Sequence, residues 1–308
     1  MAGALCTLVS AVQSPAAQIL VSDEKGTAIE SLNTSSGVRT TYMSGLSNPD
    51  GLVLGLDGFI YATGFNGGTL NRITSSSTFA QIASGFNGAG AVTMDASGNF
   101  YVPNFGFPSP GGTSVGKVVP IGGGSYSTTV NFTTTVLSTP DGLAFDSHGI
   151  LYEADFGSNR INKIDTSNGN VTAFVPNTAG LSQPSAIVFD SADNLYVANF
   201  AGGGTSAGNV MMFNSSGAFV FTLTTGLNSP LGLLLDQAGS TFYVSSWNGN
   251  TVSSFAMAGG SATQVGSGFN GPTHMVFAPA PEPSSLVILL TGAGVLASRR
   301  SRAARSTR

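Results

Sequence analysis

The sequence predicts an all-β protein, a six-bladed β-propeller closed by pairing of its N-terminal and C-terminal strands, with a short C-terminal hydrophobic helix after it. Three observations carry this. A strand-turn-strand pattern returns about every 45 residues, the span of a four-stranded blade. Charged residues are only 8% of the 308, while Gly, Ser, Thr and Asn, which favour turns and strand edges over helix surfaces, take their place. The first apolar strand lacks a partner before it and the last lacks one after it.

Each repeat starts with a Pro or Gly turn and an apolar strand, then an Asp-containing turn and an aromatic-rich strand. Pro49–Leu54 precedes Phe59–Ala62, Gly90–Asp95 precedes Asn99–Val102, and Pro140–Asp146 precedes Ile150–Tyr152. Pro184–Asp190 then precedes Asn194–Asn199, and Pro230–Asp236 precedes Thr241–Val244. Tyr61, Tyr101, Tyr152, Tyr196 and Tyr243 are spaced 40, 51, 44 and 47 residues apart. Third strands follow at Thr69–Ile73, Asn159–Ile164, Asn209–Phe213 and Thr251–Phe255. Polar fourth strands such as Gly169–Phe174 suit a wet outer edge.

The ends complete the count. Gly271–Phe277 is a sixth first strand, and Ile19–Asp23 a second strand whose third is Gly26–Ser31. Joined, they make one blade and shut the ring.

Two short segments lie outside this body. Residues 3–12 are apolar and lead into Ser14-Pro15-Ala16-Ala17, suited to signal-peptidase cleavage, so 1–17 are expected to be a signal peptide although no positive n-region precedes them. Residues 18–279 form the propeller and 280–308 a tail. In the tail, Pro281-Glu282-Pro283 is followed by the uncharged run Ser284–Ser298 and by Arg299-Arg300. As a helix this run reaches about 22 Å, short of a ~30 Å hydrocarbon core, so a transient membrane stop fits better than a permanent span.

Residues 1–280 hold six basic and fourteen acidic side chains. Such a body cannot neutralise a run of phosphates, which argues against nucleic-acid binding. The single cysteine, Cys6, lies in the leader, so disulfides and thiolate metal sites are excluded from the mature chain.

Asp57, Asp95, Asp146, Asp190 and Asp236 recur at one turn and are expected to brace it. At the loops entering the first strands, the homologous positions read Asp50, Gly90, Asp141, Ser185, Leu231 and Thr273, with His274 adjacent. Asp50, Asp141, Ser185 and His274 are therefore the candidate ligand-binding set at the channel mouth, with no catalytic residue assigned. His148 is expected in an exposed turn. Gly122–Gly124 and Gly202–Gly204 lack phosphate-loop context, and the sequons at Asn33, Asn131 and Asn214 are not read as glycan sites. The inserted loops 105–112 and 201–208 sit where recognition loops would.

The repeats resemble the NHL-type six-bladed propellers and, more loosely, gluconolactonase-like and virginiamycin B lyase-like proteins. The gluconolactonase resemblance implies a divalent cation such as Ca2+ held by Pro-Asp-Gly loops, here Asp50 and Asp141. The family's Asn ligand has no match, and no Gly-Glu-Gly-Pro-type Glu precedes the first blade; no cofactor is the first expectation. The tail resembles the PEP-CTERM sorting signal, carried by Pro281, Glu282, Pro283, Arg299 and Arg300. That resemblance implies an exosortase-type processing enzyme, a membrane-inserted precursor, and export to the cell surface or extracellular matrix. Binding to an exopolysaccharide or an envelope protein is the first functional expectation, and lactonase- or lyase-like catalysis at the mouth the second.

Overall fold

The structure is a computed structural model that describes residues 18–106, 112–200, 207–236 and 238–279. The segments expected to be a signal peptide (1–17) and a sorting tail (280–308) lie outside these residues, as do 107–111 and 201–206 of the inserted loops. Among the described residues no helix is long and apolar enough to cross a membrane. The helix described there is one 3-10 turn, Asn177–Ala179.

Six four-stranded antiparallel sheets form the body. Blade 1 is assembled from both chain ends: Pro272–Phe277 is innermost, followed outward by Gln18–Asp23, Ala28–Asn33 and Arg39–Ser44. Ile19 pairs with Phe277, Leu20 with Val276 and Val21 with Met275, so the ring closes as the sequence predicts. Blades 2 to 6 follow in chain order, with inner strands Pro49–Leu54, Thr93–Met94, Pro140–Phe145, Pro184–Phe189 and Pro230–Leu235. Blade 3 departs from expectation. Its inner strand keeps only two residues, because Pro103 turns its carbonyl to Gly90 N and on that same side has no N–H to give.

Alternating strands put one face of each sheet against the next blade. The core is correspondingly divided into six apolar clusters, one between each pair of neighbours. The cluster between blades 1 and 2 joins Leu20, Ile29 and Met43 to Leu52, Ile60 and Ala62. Burial of this kind, at ~25 cal/mol per Å2 of apolar surface, is the main stabilising term.

The recurrent aspartates are structural, as expected. Asp190 Oδ1 accepts from the N–H groups of Ala192 and Asn194, each at 2.9 Å, and Oδ2 accepts from the Tyr196 hydroxyl at 3.0 Å. The same latch joins Asp57 to Tyr61, Asp95 to Tyr101 and Asp146 to Tyr152. Burial opposes ionisation of Asp95 and Asp190, but these hydrogen bonds outweigh it and hold both below the usual carboxylate range. Outer edges are less uniformly polar than expected: Phe219–Leu227 of blade 5 exposes Phe219, Val220 and Phe221.

Candidate functional site

A repeated backbone device builds the mouth. Just before five inner strands, and just before the Ala89–Asn104 bridge of blade 3, stands a residue in the left-handed region: Asn48 (φ 51°), Gly88 (67°), Thr139 (62°), Gln183 (52°), Ser229 (56°) and Gly271 (69°). Each carbonyl accepts a hydrogen bond from the N–H of the residue that ends the second strand's run. Those donors are Phe65, Phe105, Phe156, Phe200, Trp247 and Glu24, at 2.8–3.2 Å. Inner strands begin where second strands end, Pro49 opposite Gly64 and Pro140 opposite Asp155. Both sets of loops therefore open on one end of the channel.

The donors' side chains form a collar. Ring centroids lie 5.7 Å apart for Phe65–Phe105, 5.5 Å for Phe105–Phe156, 5.6 Å for Phe156–Phe200 and 6.3 Å for Phe200–Trp247, at angles of 54–62°. These are the tilted contacts that aromatic quadrupoles favour. The sixth position is Glu24, whose Oε2 accepts the indole N–H of Trp247. Lys25 places its ammonium 3.6 Å from the Trp247 ring centroid.

Beneath the collar lie Asp50, Asp141 and Leu231. With the collar residues and Glu24 they line a cavity of about 320 Å3. Asp50 Oδ1 is 3.0 Å from His274 Nδ1, and Thr273 donates its hydroxyl to the Asp50 carbonyl, so the closing strand of blade 1 orients this side chain. Asp141 leans toward blade 3, where a Cβ on Gly90 would come within 3.1 Å of its Oδ1. Glycine at that position leaves room for the carboxylate.

These carboxyls strain one another electrostatically. Burial, then the charge of Asp50, pushes Glu24 up to about 7, against the pull of the Trp247 N–H and Lys25. Burial also raises Asp141 well above the carboxylate range, with Asp50, Glu24 and Glu153 adding to it. Like charges sharing a poorly solvated site produce such shifts. Glu153 lies fully buried in the second strand of blade 4; Oε2 accepts from Asn162 at 2.9 Å and Oε1 has no partner.

Asp50 and Asp141 thus meet in one cavity, and His274 supports the first of them. His274 Nε2 is buried without a partner, and the ring also lines a second channel cavity with Leu52 and Met275. Ser185 does not join them. It is fully buried, and its hydroxyl donates to the carbonyls of Ala198 and Pro230, which ties blade 5 to blade 6. His148 is exposed in its turn, 3.1 Å from Asp193.

The metal reading meets a geometric limit. Calcium takes six to eight oxygens. Among the described residues, the trio whose ligand atoms lie within 4.8 Å of one another is Asp146, His148 and Asp193, outside the mouth. Asp50, Asp141 and Glu24 do not form such a set.

Sequence reasoning missed Glu24 and the collar. The signal was present: Tyr61, Tyr101, Tyr152, Tyr196 and Tyr243 are each followed four residues later by an aromatic, and Glu24 holds the same place after Leu20.

No protein-family model matches the chain, and no curated protein matches it. Solved structures do. The crystal structure of a nidogen/laminin complex aligns at a TM-score of 0.67 and 16% identity, over 85% of this chain and 98% of that one. A gluconolactonase from Xanthomonas campestris aligns at 0.61 and 16%, over 74% and 79%. Virginiamycin B lyase from Staphylococcus aureus aligns at 0.57 and 17%, over 89% and 87%. At such identities the likeness is one of fold, and the chain shares the six-bladed propeller of binding modules and enzymes alike.

Proposed function

We propose that the chain is an exported binding propeller, displayed at the cell surface or in the extracellular matrix, that holds a ligand group in the collared mouth. The observation that carries this is the run of five collar aromatics over carboxylates, a largely apolar cavity with a few converging polar groups. Its address rests on the resemblance of residues 281–300 to a sorting signal, and implies processing by an exosortase-type enzyme. An extracellular polysaccharide or envelope protein is the partner class this address offers. The structural neighbour from a nidogen/laminin complex supports the choice of a binding role for such a fold. Incubating the full chain with native extracellular polymer and measuring co-sedimentation tests it. Retention that an excess of free polymer competes away is expected; reproducible absence of retention contradicts it.

A second reading is favoured by one specific contact. The Asp50–His274 pair beside Glu24 offers acid and base groups to a substrate of the classes for which the gluconolactonase and lyase neighbours are named. Turnover of a lactone panel that disappears in Asp50→Asn would support it, and no turnover across the panel would remove it.

A further inference from the structure

We propose that the mouth recognises an organic ammonium group, its charge held among Glu24, Asp50 and Asp141 and its compact body against the aromatic collar. This rests on the reading of the mouth as a ligand site and narrows it to a chemical class.

Charge balance is the first argument. The cavity lining carries three carboxyls and no Lys or Arg among the described residues. Lys25 is directed to the Trp247 ring, and His274 supports only Asp50. With a neutral ligand the crowding is relieved only by protons held on Asp141 and Glu24. A cation relieves it, and the gain is larger in a desolvated site.

The second argument distinguishes an organic cation from a hydrated metal ion. Donor atoms for a chelate do not converge at the mouth, and the walls are aromatic. Such walls penalise a strongly hydrated ion, while ring faces attract a weakly hydrated ammonium. The Lys25–Trp247 contact already shows this attraction within the collar. Volume is the third argument. About 320 Å3 admits one compact headgroup, so a polymer would enter by a single terminal or pendant residue.

Two sources share this chemistry: a free alkylammonium compound and an amino sugar with an unacetylated amine. Trp247 is the only tryptophan in the chain, so its fluorescence reports on the mouth. The full chain is titrated with choline against its uncharged isostere 3,3-dimethylbutan-1-ol, and with glucosamine against N-acetylglucosamine. At least one cation is expected to bind about tenfold or more tighter than its neutral partner; which cation does so identifies the source. Asp141→Asn and Glu24→Gln should each weaken that cation several-fold, read by calorimetry, and weaken the neutral partner less. Affinity should rise with pH as Glu24 and Asp141, both held protonated by burial, ionise; the charged and titratable groups facing them are Asp50, Lys25 and, behind, Glu153 and His274.

Equal affinity for charged and neutral partners would overturn the ammonium assignment and keep the mouth as a ligand site. Failure of all four probes with competed retention on native polymer would overturn the ammonium assignment alone. Failure of the probes and of retention would overturn both readings.

Discussion

The carboxylate of Glu24 accepts the indole N–H of Trp247, 223 residues away in the chain. This contact ties the collar aromatics of blade 6 to blade 1, the blade that the two chain ends build. It also couples closure of the ring to the electrostatics of the mouth, because Glu24 belongs to the blade that closure creates.

Stability should therefore fall as the mouth ionises. Glu24 binds its proton more tightly folded, at about 7, than in the unfolded chain near 4.5. Its contribution is full at low pH and is lost as pH rises through that window, by up to ~3 kcal/mol. Asp141, raised in the same direction, adds to the slope. Asp95 and Asp190 act oppositely, losing stability only as pH falls below the carboxylate range. Urea denaturation across pH 4.5–7.5 should show the decline, and Glu24→Gln should flatten it while keeping an acceptor for Trp247.

Glu153 is a buried acid where the homologous positions hold Val102, Val197 and Val244. Its register partner is Asn162, as Met211 is that of Val197. Copying blade 5 with Glu153→Val and Asn162→Met should leave stability unchanged or raise it by ~1–2 kcal/mol, since buried polar pairs rarely outperform apolar packing. Glu153→Val alone should be less stable than the double variant, because the Asn162 amide loses its acceptor. Denaturant midpoints check both.

Thr139 is the one β-branched residue among the left-handed positions that precede inner strands. Asparagine tolerates this conformation far better, so Thr139→Asn should stabilise by ~1 kcal/mol without altering the mouth. Thermal melting measures the gain.

Ring closure gives a further test. Leu20 is fully buried between blades 1 and 2, as Leu195 is between blades 4 and 5. Leu20→Ala and Leu195→Ala should each cost ~3 kcal/mol. A much smaller cost at Leu20 would mean that the N-terminal strand is a loose addition to the ring.

The strands were legible because their causes are local: Pro at the inner-strand start, Asp at the next turn, Tyr in the strand after it. Closure was legible because each end lacks the half-blade that the other supplies. The shortened inner strand of blade 3 was not, since its cause is Pro103 on the partner strand. At the mouth, Asp50 and Asp141 could be found by comparing equivalent loops. Ser185 looked equivalent to them, but its hydroxyl is spent on two carbonyls between blades. Glu24 was missed for a different reason: it shares the repeat spacing of the collar aromatics but is not one of them, in the blade that the chain ends split.

The most direct test of a ligand-holding mouth removes part of its wall and leaves the blades intact. Phe156→Ala with Phe200→Ala deletes two adjacent collar rings whose backbone bonds to Thr139 and Gln183 do not depend on the side chains. With folding verified by circular dichroism, retention on native extracellular polymer is compared with the parent chain. The account predicts loss of competed retention in the double variant. Undiminished retention would place the binding surface elsewhere on the propeller and contradict it.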